Sequence, residues 1–154
     1  MKILRPLGNE ISKEVKNWKQ IKEMAIELHE FVIKNEFEGH YGKVPHAIAH
    51  CQVSIEPMNF FILSDEKAKK FGHWCIVNMK IIKKKRLKQH NEACMSFMFR
   101  KPKWIDRYLE VTVTYQTPFL NLFLISRKRK FEDIDAFICQ HEVDHANGIN
   151  VYGL

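Results

Sequence analysis

Two histidines one helical turn apart, His141 and His145 in "QHEVDHANGI", carry the clearest chemistry in the chain, with Glu142 between them. On a helix, residues four apart project from one face, so both imidazoles can reach one metal ion and Glu142 can stand beside it as a general base. A hydrolytic metal site needs a third protein ligand and an open position for water. The residues after His145, "ANGINVYGL", contain no Asp, Glu, His or Cys, so the third ligand is expected upstream. Cys94 in "NEACMSF" is the leading candidate, and Cys51 and His50 in "AHCQV" are the rivals.

The elements that must bring these residues together are partly readable. Trp18, Ile21, Ala25, Leu28 and Val32 form one apolar stripe at helical spacing, with Ser12 as the expected N-cap and an end at "EFEGHYGKVP". Strands are expected at "AIAHCQVSI", "NFFIL" and "HWCIVNMKII", which have strand length and composition. "YLEVTVTYQT" alternates apolar and polar residues as a half-buried antiparallel strand does. "PFLNLFLIS" is expected to complete a hairpin with it, turning at Pro118. A last helix carries Ile134, Phe137, Ile138, His141 and His145 on one face, has acidic residues in its first turn, and stops at Asn147-Gly148. With no repeat or linker, the reading is one α+β domain over 1–154. Antiparallel β-sheets would pack around the C-terminal metal-binding helix, with a long N-terminal helix beside them.

Composition narrows the classes further. Of 154 residues, 45% are apolar and 28% charged, which suits a globular protein. No apolar run approaches membrane-spanning length and the start lacks a signal-peptide pattern, so a cytoplasmic protein is expected. The net charge of +7 comes largely from "KIIKKKRLK" and "RKRK", read as solvated surface. Nothing resembles a nucleic-acid-binding motif, so sequence-specific nucleic-acid binding is not expected. The four cysteines form no close pair, which excludes a zinc ribbon or a redox Cys-x-x-Cys.

Three segments resemble peptide deformylases. "QHEVDHANGI" is similar to that family's His-Glu-x-Asp-His motif, "EACMS" to its Glu-Gly-Cys-Leu-Ser motif, and "AIAHCQV" to Gly-Leu-Ala-Ala-x-Gln, all in the family's order. Pro45 and Ala47 stand where the first motif has glycines, His50 replaces an alanine, and Ala93 and Met95 replace glycine and leucine in the second. The resemblance implies removal of the N-terminal formyl group from nascent polypeptides by metal-assisted amide hydrolysis. Cys94, His141 and His145 would hold one divalent ion, Fe(II) in preference, with Zn(II), Ni(II) or Co(II) able to substitute. Glu142 would be the general base, and the Gln52 side chain and the Met95 backbone N–H would donate to the oxyanion.

Glu92 and Asp144 are candidates for orienting the ligands. Ala47 and Ile48, with Phe137 and Ile138, are expected to line the substrate pocket. N-formylmethionyl peptides are the implied partners, with transient proximity to the ribosome. From its length the chain is expected to be a short form, similar to phage-encoded members, without the C-terminal extension that docks bacterial members there. The competing readings are a non-catalytic deformylase-like peptide- or ribosome-binding protein and a zinc endopeptidase.

Overall fold

A computed structural model of the chain describes residues 9–34, 45–94, 96 and 100–154. The first helix, α1, spans Trp18–Lys34 and buries the anticipated stripe of Trp18, Ile21, Ala25, Leu28 and Val32. It begins at Trp18, not near Ser12. Asn17 Oδ1 accepts from Gln20 N at 3.1 Å, while Gln20 Oε1 accepts from Lys16 N at 2.8 Å. This reciprocal pair satisfies two amides that the helix cannot. Ser12 N instead donates to Ala146 O, and Lys13 bridges to Met58, so this segment runs extended before α1.

Among the described residues five antiparallel strands form one sheet in chain order: β1 (Ala47–Ala49), β2 (Phe60–Leu63), β3 (Cys75–Glu92), β4 (Lys103–Phe119) and β5 (Phe123–Glu132). Near β2 the sheet is covered on both faces, which explains the unbroken apolar run "FFIL". Phe60, Ile62, Cys75 and Val77 pack with α1. Phe61, Leu63, Ile76, Met79, Val111 and Val113 pack with Ala136, Ile138 and Cys139 from α3 (Asp133–Ala146). Beyond this double layer β3 continues through its lysine-rich stretch, where Lys83, Lys84, Lys85 and Lys88 are exposed, and ends at Glu92. That extension carries the chain across the sheet to Cys94.

Two local expectations are corrected, and one helix stands where none was expected. "AIAHCQVSI" is strand only over Ala47–Ala49 and then winds into a 3-10 turn at His50–Gln52. Gln52 Oε1 accepts from Ala49 N at 2.8 Å, a local bond that competes with the sheet ladder. Pro118 lies inside β4, paired with Leu124. The reversal comes at Leu120 and Asn121, whose φ values of 51° and 56° give the left-handed turn that suits a twisted hairpin. Asn121 Oδ1 accepts from Trp18 Nε1 at 2.8 Å, tying that turn to α1. A short helix that was not expected, α2 (Asp65–Phe71), follows β2, with Ser64 Oγ at its N-cap and Gly72 at φ 90° closing it. Its Phe71 ring is fully buried and stacks on Phe131.

The final helix ends where anticipated. Gly148 has φ 74°, and a Cβ there would sit 2.6 Å from Asn9 O, so both backbone conformation and space demand glycine. Gln140 fastens α3 to the sheet by accepting from Tyr108 N and donating to Tyr108 O, each at 2.8 Å. All four cysteines are buried, and none of them forms a disulfide. Among the described residues no helix is long and apolar enough to cross a membrane.

Candidate metal centre

The end of β3 and the last two turns of α3 converge on one point. Cys94 Sγ lies 3.5 Å from His145 Nε2, and the ligand atoms of Cys94, His141 and His145 all lie within 4.8 Å of one another. The two imidazoles meet edge to face with centroids 4.4 Å apart. A tetrahedral ion with a sulfur and a nitrogen at ordinary bond lengths would hold them about 3.6 Å apart, so the observed spacing fits. One thiolate and two imidazoles suit borderline-soft divalent ions and not Mg(II) or Ca(II). Among the described residues this is the one group of donors so placed. The rival donors are otherwise engaged. His50 Nδ1 accepts from Met58 N at 2.9 Å and its ring stacks on Phe60, while Cys51 packs in the core.

Behind these three donors stands a buried charge network. Glu92 Oε1 accepts from His141 Nδ1 at 2.5 Å, which fixes the ring and leaves Nε2 as the atom that could bind an ion. Arg107 grips both Glu92 oxygens, at 2.9 and 2.7 Å, and reaches Asp144 Oδ2 at 2.6 Å. Burial pushes the Glu92 carboxyl up, but its bonds to Arg107 and His141 outweigh burial and hold its pKa at about 2. Glu92 and Asp144 were anticipated from the sequence. Arg107 was not, because it lies on β4, and nothing in its neighbourhood along the chain marks it. His145 is buried, and burial, reinforced by His141, holds its pKa well below the usual value. It therefore stays neutral with a lone pair to offer.

Glu142 is buried beside this group, and its Oε2 has no hydrogen-bond partner among the described residues. Burial raises its pKa to about 7, with His141 opposing and Glu92 adding to the rise. Gln52 is 2% exposed; because Ala49 N occupies its oxygen, its Nε2 faces the centre, 3.1 Å from Ser96 Oγ and 3.9 Å from Cys94 Sγ. Met95, the second anticipated donor, lies outside the described residues.

A cleft of about 430 Å³ opens onto the centre, and its walls include Ala47, Gln52, Cys94, Phe137, Ile138 and Glu142. Ile48 is not among its walls. It is fully buried in the cluster with α1, because neighbouring residues of a strand face opposite ways and Ala47 takes the cleft side. Two histidines the sequence reading passed over, His46 and His90, do line it. The only sequence signal for His90 was its place two residues before Glu92, on the same strand face.

A family model of polypeptide deformylases matches residues 2–153. A peptide deformylase of Pseudothermotoga lettingae is 30% identical over 153 residues, spanning 97% of this chain and 80% of that protein. The crystal structure of peptide deformylase from Thermotoga maritima superposes with a TM-score of 0.75 at 21% identity, covering 99% of this chain and 95% of that one. The peptide deformylase from Thermus thermophilus gives 0.75 at 19% identity, covering 99% and 84%. At those identities the structural likeness concerns the fold, while the sequence matches reach the family. The chain belongs to the polypeptide deformylases, metal-dependent enzymes that remove the N-formyl group from nascent peptides.

Proposed function

We propose that this chain acts as one catalytic unit over residues 1–154, with Cys94, His141 and His145 holding a single divalent ion, Fe(II) in preference. The observation that carries the reading is Glu142. A buried carboxyl with a free oxygen and a pKa near neutrality, sharing a cleft with two of the three donors, is suited to accept a proton from water and return it. When bound, the ion lowers the pKa of water and stabilises negative charge on the formyl oxygen.

Glu142 takes the proton from the attacking water as the C–O bond forms at the formyl carbon. Gln52 Nε2 donates to the oxygen on which charge develops, a contribution of about 3 kcal/mol for one such donor. Glu142 then delivers its proton to the departing amine as the C–N bond breaks, giving formate and a free N-terminus. Phe137 and Ile138 receive the first side chain of the peptide. Glu92, locked by Arg107, keeps His141 in the ligating tautomer.

The substrates are N-formylmethionyl peptides and nascent chains in the cytoplasm, met close to the ribosome, with no sequence-specific nucleic-acid contact. The test is formate release from formyl-Met-Ala-Ser under anaerobic conditions with Fe(II). Turnover lost in Glu142→Gln with metal retained supports the reading. Metal-loaded wild-type protein that releases no formate would point instead to a peptide-binding descendant of the family.

A further inference from the structure

His90 and Glu92 lie two apart on β3 and so share a face, while Phe137 and His141 lie one turn apart on α3. Two strand residues advance about 6.7 Å and four helical residues about 6 Å, so the two pairs can stack in register. They do. Glu92 meets His141 at 2.5 Å, and the His90 ring stacks on Phe137 with centroids 4.2 Å apart and planes at 23°. This ladder continues the wall of the metal centre outward into the cleft.

The outer rung differs in kind from the α3 residues that it faces. Ile134, Phe137 and Ile138 offer only hydrocarbon to the cleft, whereas His90 offers an imidazole. Glu92 Oε2 is 4.0 Å from His90 Nε2, beyond hydrogen-bond reach, and Glu92 is already taken by Arg107 and His141. The His90 side chain is one-third exposed, so its ring keeps hydrogen-bonding capacity for whatever fills the cleft.

We propose that His90 determines which first side chains the cleft takes, favouring chains that carry a hydrogen-bond acceptor over hydrocarbon chains of the same length. Phe137 supplies the apolar contact and His90 the polar one. A methionine thioether is a weak acceptor and its sulfoxide a strong one. The preferred substrate class therefore extends to formylated peptides whose first methionine has been oxidised. This inference rests on the deformylase reading above.

The experiment compares kcat/KM for formyl-peptides of sequence X-Ala-Ser, with X as methionine sulfoxide, methionine or norleucine. In His90→Leu the ratio of sulfoxide to norleucine should fall about fivefold, the effect of one net hydrogen bond, and His90→Gln should restore most of it. A His90 that only packs against Phe137 would leave the ratio unmoved in both variants, and that result overturns the proposal. The same ratio is also read as calorimetric binding to Glu142→Gln protein, with and without His90→Leu. A protein that releases no formate from any substrate refutes the deformylase reading. In that case the binding ratio still decides for His90, supporting the proposal if it falls in His90→Leu and refuting it if it does not.

Discussion

Replacing Arg107 with methionine would leave the Glu92 carboxylate, 6% exposed, without the bidentate partner that holds it in the interior. The magnitude follows from the pKa. Arg107 and His141 together hold Glu92 at about 2 against an ordinary 4.5, which corresponds to about 3 kcal/mol of folded-state stabilisation shared between them. Removing one member of a buried pair costs about 3–5 kcal/mol by the same reasoning. At roughly 2–4 °C per kcal/mol for a chain of this length, the melting temperature at pH 7 should fall by about 10 °C. Because the folded-state pKa is depressed, the contribution is fully present above about pH 4.5 and is lost as pH falls toward 2.

Urea and thermal unfolding of metal-free wild type and Arg107→Met at pH 7 and pH 3 should thus show a large gap that narrows on acidification. Adding Glu92→Gln to the variant removes the stranded charge and should recover part of the loss, the non-additivity expected of one network. Zinc affinity should fall about 10–100-fold in Arg107→Met, since His141 loses its fixed acceptor. A pH 7 penalty under about 1 kcal/mol, or one equally large at pH 3, would refute the assignment of Glu92 as a charge held by Arg107.

Other outcomes follow from the same geometry. The acid limb of kcat/KM should report Glu142, with an apparent pKa at or below 7 because a bound cation pulls the value down, and it should vanish in Glu142→Gln. Without metal, burial opposes charge on His141 but Cys94 and Glu92 outweigh it and raise its pKa, so a proton occupies the site that the ion would take. Metal affinity, read by chelator competition, should therefore rise as pH increases from 6 to 8; a flat profile would contradict this. Gln140→Leu strands the N–H and C=O of Tyr108 and should cost about 2–3 kcal/mol in urea unfolding, against near-neutrality if those bonds did not matter.

The parts of this protein written locally were legible in its sequence. The α1 stripe, the alternation of β4 and the paired histidines of α3 each repeat within a single element, and all three stand as anticipated. Cys94 was legible as a candidate donor because two histidines elsewhere gave a buried cysteine a reason to be a ligand and because "EACMS" resembles a family motif. What escaped was either too short or too distant. α2 offers one buried ring and a seven-residue span, too little for periodicity, although Ser64 and Gly72 mark its ends. The full length of β3 was hidden by lysines, which lie on a strand past the cover of α1 and so break the apolar pattern without breaking the ladder. Arg107 meets partners fifteen and thirty-seven residues away, contacts that only the folded sheet creates. Ile48 was misplaced by one residue of strand alternation, enough to exchange the cleft for the core.

The convergence of one sulfur and two ring nitrogens is best tested by X-ray absorption on the zinc-loaded protein. One sulfur at about 2.3 Å and two imidazole nitrogens at about 2.0–2.1 Å are expected, with the sulfur scatterer gone in Cys94→Ser. A shell of nitrogen and oxygen alone, or a sulfur signal that survives that substitution, would contradict the account.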